Sequence, residues 1–413
     1  MWLELLREFF HDLRIHRVRA SLTLVAIAWG TISVVLLLSF GEGLGDRLLN
    51  GEMNAGNRIM IVYGGQTGLA FEGLTKGRRV RLAEEDIDLV RETIPGIEMA
   101  SPQYRAEVTL TCGKSSTTTE CEGVNSAFEE MRRMYPVLGG RFLDELDVTE
   151  RRRTLVLGSE IAKEIFQTVN PIGKTVLVDG TPFILVGIIQ NKLQTSMNNG
   201  PDSRRAIIPY TTLRTMYGSR NVNSLVIRPA DPGQQEFIKA QLYRVLGRKY
   251  KFDAADERAL GIWDFIEEEN ISRKINLGMA IFLGSVGCLT LLIAGVGVAN
   301  VMYVVVKERT LEIGIKLAVG ARRRYILAQF VFESLLIAFI GGMIGLLISW
   351  GVISLVRLFP ADDGPMQFLG RPILSATVML VTTTILALIG LLAGLFPARK
   401  AASLDPVESL RYE

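Results

Sequence analysis

Residues 307–330 read KERTLEIGIKLAVGARRRYILAQF, with six Lys or Arg before Tyr325: Lys307, Arg309, Lys316, Arg322, Arg323 and Arg324. Apolar runs flank this stretch at 277–306 and 326–356. Within it Glu312 and Lys316 form an i,i+4 pair, Leu311, Ile315 and Ala318 share one face, and Gly320 stands as a C-cap before ARRR opens the next helix. The spacing predicts a short amphipathic helix lying on a membrane surface between two spans. Composition alone makes it an interfacial linker whose basic residues hold topology against anionic lipid.

Two further apolar runs lie at 21–40 and 373–396. A helix needs about 20 apolar residues to cross a hydrocarbon core, so each of the four runs is long enough. A hydrophobic content of 48% over 413 residues and a mean hydropathy of +0.27 agree with that reading. The first run follows Arg14, Arg17 and Arg19, but it is longer than a secretory h-region and no A-x-A-like site closes it, so it reads as an uncleaved anchor. Before it, residues 1–20 pattern as a cytoplasmic amphipathic helix. Lys and Arg crowd the N-terminal segment, the 307–325 stretch and the 397–413 tail, whereas the short loop 357–372 balances Arg357 and Arg371 against Asp362 and Asp363. The positive-inside rule puts both termini and the 307–325 stretch in the cytoplasm and residues 41–276 outside. The net charge of +3 is explained by membrane-flanking residues and gives no argument for nucleic acid.

The segment 41–276 reads as a large α+β domain inserted between spans 1 and 2, with two subdomains, the inserted one at about 101–200. Strand signals lie at 57–63, 205–210 and 223–229, helix signals at 82–94 and 234–245, and a hairpin turns at Asp179-Gly180. No helix breaker separates Trp263 from the second span, which predicts a stalk helix running on into the membrane. In TCGKSSTTTEC, Cys112 and Cys121 flank a polar turn in an expected hairpin, and either a disulfide or two separate thiols fit. Cys288 falls within the second span as a small packing residue. The two histidines, His11 and His16, both precede the first span, so no His-based metal or nucleophilic site is expected outside, and no catalytic constellation is legible. Gly173-Lys174-Thr175 ends like a phosphate-binding loop, but Thr168 occupies the position of its required first glycine. Glu333 is the one ionisable residue inside the spans, and without a second acid, Lys or His nearby it fits a structural hydrogen bond better than a proton relay. Small residues recur four apart in every span, at Ala26 and Gly30, Gly295 and Ala299, Gly341 and Gly345, and Gly390 and Gly394; this spacing permits close helix contact.

The stretch KERTLEIGIKLAVGARRRYILAQFVFES resembles the signature of the MacB/FtsX family of ABC-transporter permeases at Glu308, Arg309, Glu312, Ile313, Gly314, Ile315, Ala318, Gly320, Ala321, Ile326, Phe330 and Glu333. RASLTLVAIAWGTISVVLLLSFGEG, NPIGKTVLVDGTPFILVGI and PARKAASLDPVESLRYE resemble further parts of the family, so the likeness covers the whole chain. The resemblance implies a permease of the type VII, mechanotransmission kind: a homodimer in the bacterial inner membrane with its large domain periplasmic. In it residues 307–325 form a coupling helix against a cytoplasmic ATP-binding subunit. Carried over by position, Glu308, Arg309, Glu312, Ile313, Gly314, Ile315, Lys316 and Gly320 belong to the docking element, with Arg309 and Glu312 as polar contacts and Ile313 and Ile315 as apolar anchors. ATP and Mg are then expected on a subunit supplied in trans, because no fused ATP-binding domain is visible in this sequence, and the chain itself is expected to hold no cofactor and to be no enzyme. The implied task is efflux of a periplasmic substrate through an adaptor and an outer-membrane duct. Lipoprotein release and control of a periplasmic hydrolase are the alternatives.

Overall fold

One strand of 16 residues, Ile97–Cys112, serves two sheets. The computed structural model describes residues 17–166, 171–194, 200–359 and 370–403, apart from the side chain of Glu52, and divides into two units, 48–273 and the remainder. In the first unit the long strand is β2, after β1 (Met60–Gly64). Its first half pairs antiparallel with β8 (Ser224–Pro229), which pairs with β1, which in turn pairs with β9 (Leu260–Asp264). Helix α2 (Glu85–Thr93) and, beyond α3 (Ser159–Ile165) and α4 (Tyr210–Tyr217) in the chain, helix α5 (Gln235–Tyr250) cover this sheet. Ile87, Val90, Ile238, Leu242 and Leu246 pack with Met60, Val62, Leu225 and Ile227, as helical and alternating apolar spacing requires.

From Tyr104 onward β2 leaves that sheet and pairs with β3 (Ser115–Val124). The pairings β3–β7 (Arg205–Pro209), β7–β4 (Thr154–Leu157), β4–β6 (Thr181–Ile188), β6–β5 (Thr175–Val178) and β5–β2 then close a ring of six strands. Ring closure leaves no free edge, and Leu155, Leu157, Val176, Phe183, Leu185 and Ala206 are fully buried. Asp179 and Gly180, at φ +45° and +81°, make the expected two-residue turn between β5 and β6.

One open reading is decided and one expectation is corrected. Cys112 and Cys121 are free, and they do not face each other: Cys112 lies opposite Ser115 and Cys121 opposite Ala106. Six rungs of ladder separate them, roughly 20 Å at strand spacing, far beyond the ~7 Å that a disulfide spans between Cα atoms. Burial holds the Cys121 thiol well above its ordinary pKa. Trp263, expected to open the stalk helix, lies instead in β9 opposite Ile61 and stacks on Phe265. A glycine at its second position and the adjoining helix mask the alternation of that five-residue strand.

The membrane helices are α1 (Arg17–Ala55), α6 (Phe265–Glu308), α8 (Arg323–Arg357) and α9 (Ala376–Ala402), each long and apolar enough to cross a membrane. α1 and α6 run well beyond the apolar stretches that announce them, into the 48–273 unit, whereas α8 follows its stretch closely. The domain of the first unit lies between the first and second spans in the chain. Glycines set how closely the spans approach. A Cβ at Gly341 would press on Ile27 of α1, one at Gly345 would lie 2.8 Å from the Ala28 carbonyl, and one at Gly394 would overlap Ser334 of α8. The four-residue glycine spacing is therefore used within this chain. Midway along α1, where its apolar run ends, the Ile373 N–H donates to the Ser39 carbonyl at 2.9 Å and the Ser375 hydroxyl donates to Glu42 at 2.6 Å, tying the start of α9 to the first span.

Buried charge organises the ring of strands. Arg132, Arg205, Glu122 and Asp202 are almost wholly excluded from solvent. Asp202 accepts from Arg132 at 2.9 Å and lies 2.8 Å from the Lys192 ammonium, while Arg205 pairs with Glu122. Burial drives the Lys192 pKa down from its ordinary 10.5 to about 8, against the pull of Asp202. Burial pushes Asp202 up, but Arg132, Lys192 and Arg205 together outweigh it and hold the carboxyl below its ordinary value. The stabilisation from Asp202 is therefore complete above the unfolded carboxylate pKa of ~3.9 and is lost as pH falls through the lower folded value. Asp202→Asn leaves three buried cations with Glu122 as their remaining counter-charge. It should cost about 3–5 kcal/mol, read by hydrogen exchange across β7, and should remove this carboxylate's part of the acid sensitivity.

Candidate functional site

Helix α6 stops at Glu308 because Arg309 leaves helical geometry, at φ −96° and ψ 14°, and α7 (Thr310–Ala318) starts at the next residue. The Thr310 hydroxyl donates back to the Lys307 carbonyl at 2.8 Å, satisfying an acceptor that the break would strand. At the other end Gly320 adopts φ +98°. Its N–H reaches the Leu317 carbonyl at 3.0 Å, and the Ala321 N–H reaches the Lys316 carbonyl at 2.9 Å. That pair of bonds is a Schellman motif, and the left-handed residue it requires is the glycine. A nine-residue helix is thus bounded by a one-residue break and a glycine stop.

One face of α7 belongs to the helix bundle. Ile313 is 3% exposed and packs in a cluster with Val306, Ile326, Phe330, Ala398 and Ala401, and Gly314 is buried beside it. The opposite face is open: Leu311 and Ile315 are about half exposed, Val319 is 84% exposed, and Ala318 and Glu312 are also exposed. Glu312 accepts from Lys316 at 2.7 Å across one turn. Exposed Arg322, Arg323 and Arg324 follow directly.

Arg309 and Glu333 fasten the junction. The guanidinium lies 3.1 Å from the carboxylate, with side chains 15% and 8% exposed, and Gln329 adds a donor at 3.4 Å. A second, more exposed pair joins Arg19 of α1 to Glu308 at 3.2 Å, and Lys400 of α9 lies over the Tyr303 ring of α6 at 5.6 Å. The start of α1, the end of α6 and the end of α9 therefore meet, and their basic residues gather at one end of the bundle.

This geometry redistributes the expected docking residues. Ile313 is no external anchor, because the bundle core already covers it. Arg309 is engaged by Glu333 within the chain. Ile315 and Glu312 remain on the open face, and Leu311 and Val319 join them. Glu333 thus makes the structural hydrogen bond expected of it, and the partner that the sequence left unnamed is Arg309 in the 307–325 stretch. The Gly173-Lys174-Thr175 segment leads into β5 rather than a helix, and the Gly173 and Lys174 amides donate to the Leu185 and Pro171 carbonyls. It offers no phosphate cradle of the kind a helix N-terminus builds. The amphipathic reading of 1–20, with His11 and His16, falls largely outside the described residues, as do most of the 357–372 loop and of the 397–413 tail.

Four membrane-spanning helices, with an α/β domain carried between the first two, define a multi-pass membrane protein of permease type. Residues 20–245 match the MacB-like periplasmic core domain and residues 284–406 the FtsX-like permease C-terminal domain, so the chain belongs to the MacB/FtsX family of permeases. Among curated relatives, the macrolide export ATP-binding/permease protein MacB of Bdellovibrio bacteriovorus is 27% identical across 100% of this chain and 62% of its own. The pyoverdine export ATP-binding/permease protein PvdT of Pseudomonas putida is 30% identical across 100% of this chain and 60% of its own. The chain thus spans about three fifths of the length of these relatives. Among solved structures, the periplasmic region of MacB from Actinobacillus actinomycetemcomitans is 20% identical with a TM-score of 0.43, over 55% of this chain and 97% of that one.

The ion pair can be weighed directly. Arg309→Met and Glu333→Met should each loosen α7, and the double variant should lose less than the two single losses added together. A coupling of about 1–3 kcal/mol is expected, measured by hydrogen exchange of residues 310–318 in the full chain.

Proposed function

We propose that this chain is the permease part of an ABC exporter and converts ATP-driven motion at its basic end into motion of its extracytoplasmic domain. The observation that carries the reading is the junction at Arg309. A short helix with an exposed apolar stripe follows a 44-residue helix directly at Arg309, and Ile313 and the Arg309–Glu333 pair hold that corner against the bundle. A push on α7 has no slack to absorb it at the junction, and α6 is unbroken over roughly 66 Å. Leu311, Ile315 and Val319 form the docking stripe, with Glu312, Lys316 and Arg322 to Arg324 as its charged border.

The gathering of Lys and Arg at one end of the bundle supports placing that end in the cytoplasm of a bacterial inner membrane, with both termini there and the large domain in the periplasm. ATP and its Mg²⁺ belong to an ATP-binding subunit or domain that meets the stripe. The working unit is a homodimer, and the exposed apolar faces of α6 and α8 are available to lipid or to the second copy. Efflux is favoured among the tasks because the relatives matched over this whole chain carry export names. In this reading the substrate enters from the periplasm and leaves through an adaptor and an outer-membrane duct.

A pull-down of the tagged full chain from its own membrane tests the docking stripe. Leu311→Asp with Ile315→Asp should abolish co-purification of the ATP-binding partner while leaving membrane insertion and yield intact. Retention of the partner at the wild-type level would contradict the assignment, and recovery of a wall hydrolase or a lipoprotein in place of an adaptor would replace efflux with that task.

A further inference from the structure

At one end of the four-stranded sheet, opposite to the end where β1 and β9 join α1 and α6, lies a pocket of about 650 Å³. Its walls come from four stretches of chain: Gly64 to Gln66, Arg79 to Leu82, Asn221 to Asn223, and Arg258. Backbone bonds stitch these together. The Gln66 N–H donates to the Arg258 carbonyl at 3.0 Å, the Val80 N–H to the Gly65 carbonyl at 3.0 Å, and the Val222 N–H to the Leu82 carbonyl at 3.0 Å. Gly64 and Gly65 pass so close to the Val80 and Arg258 carbonyls that a Cβ would collide with them, so the walls are held where they are by backbone contact.

The chemistry of the lining is one-sided. Arg79, Arg81 and Arg258 supply three guanidinium groups, Gln66, Asn221 and Asn223 supply amides, and no carboxylate lines the space. Elsewhere in this domain, arginines such as Arg132, Arg141, Arg205, Arg214 and Arg228 sit against carboxylates, whereas Arg79, Arg81 and Arg258 form no ion pair among the described residues. The neighbouring Asp256 forms no ion pair with their guanidinium groups: one carboxylate oxygen accepts from the Gly68 and Leu69 amides at 2.7 and 3.0 Å, the other from the Arg258 backbone N–H at 3.2 Å. Three exposed, uncompensated guanidinium groups around a preformed cleft are placed to bind an anion with forked hydrogen bonds, and the volume lies in the range of small-ligand sites.

We propose that this pocket is a binding site for a small soluble anion carrying two or more carboxylate or phosphate groups. The site stands independently of the transport reading, since it uses none of the α7 residues. Isothermal titration of the full chain in nanodiscs at low salt, with citrate and with pyrophosphate as probes, tests it and distinguishes the two anion chemistries. The pocket variant Arg79→Gln/Arg81→Gln/Arg258→Gln is compared with a charge-matched control, Lys163→Gln/Arg244→Gln/Arg248→Gln, at exposed positions outside the pocket. At least one probe should bind saturably, one per chain, with affinity falling by about tenfold or more in the pocket variant and by much less in the control. Both variants should keep the wild-type melting temperature, because the residues changed in the pocket hold no ion pair. Absence of saturable binding for both probes, or equal weakening in the two variants, would overturn the proposal.

Discussion

A carboxylate inside a membrane helix must find a cation or give up its charge, and Glu333 finds Arg309. That constraint fixes more than one side chain. Arg309 is the residue at which α6 breaks and α7 begins, so the pair holds the corner between them against α8. Ile313 secures the same corner from the apolar side, in a cluster that includes Ile326 and Phe330 of α8 and Ala398 and Ala401 of α9. Polar and apolar contacts thus converge on one joint, and the exposed stripe of Leu311, Ile315 and Val319 is what that joint presents outward.

The α/β domain between the first two spans rests on a different constraint. β2 belongs to two sheets, so the four-stranded sheet and the ring of six strands share a backbone and cannot separate without breaking it. Within the ring, the cations Arg132, Lys192 and Arg205 against the anions Asp202 and Glu122 leave little tolerance for losing a partner. Buried networks of this kind favour one arrangement of the surrounding loops more than they add stability.

Much of this was legible in the residues. Long apolar runs exposed the spans, because hydrocarbon thickness imposes a length that few soluble helices meet. Asp179-Gly180 declared its turn because the φ values it needs suit those residues, and Gly320 declared the end of α7 for the same reason. What stayed hidden depended on contacts distant in sequence. Periodicity put Leu311, Ile315 and Ala318 on one face, but which side of α7 faces the bundle is decided by residues of α8 and α9, so the burial of Ile313 had no local signal. The register of β2 against β3 separated Cys112 from Cys121, and no local pattern reveals a register. The arginine pocket draws on four separate stretches of chain and has no motif at all.

The central claim is that α6 carries motion from the α7 joint as one rigid rod. Inserting two glycines after Asn276 tests it most directly, with ATP-dependent hydrogen exchange measured across β9 and the rest of the α/β domain in the assembled complex. The account predicts that ATP hydrolysis continues while the ATP-dependent change in exchange disappears. An unchanged ATP-dependent pattern in the inserted variant would show that the motion travels by another route.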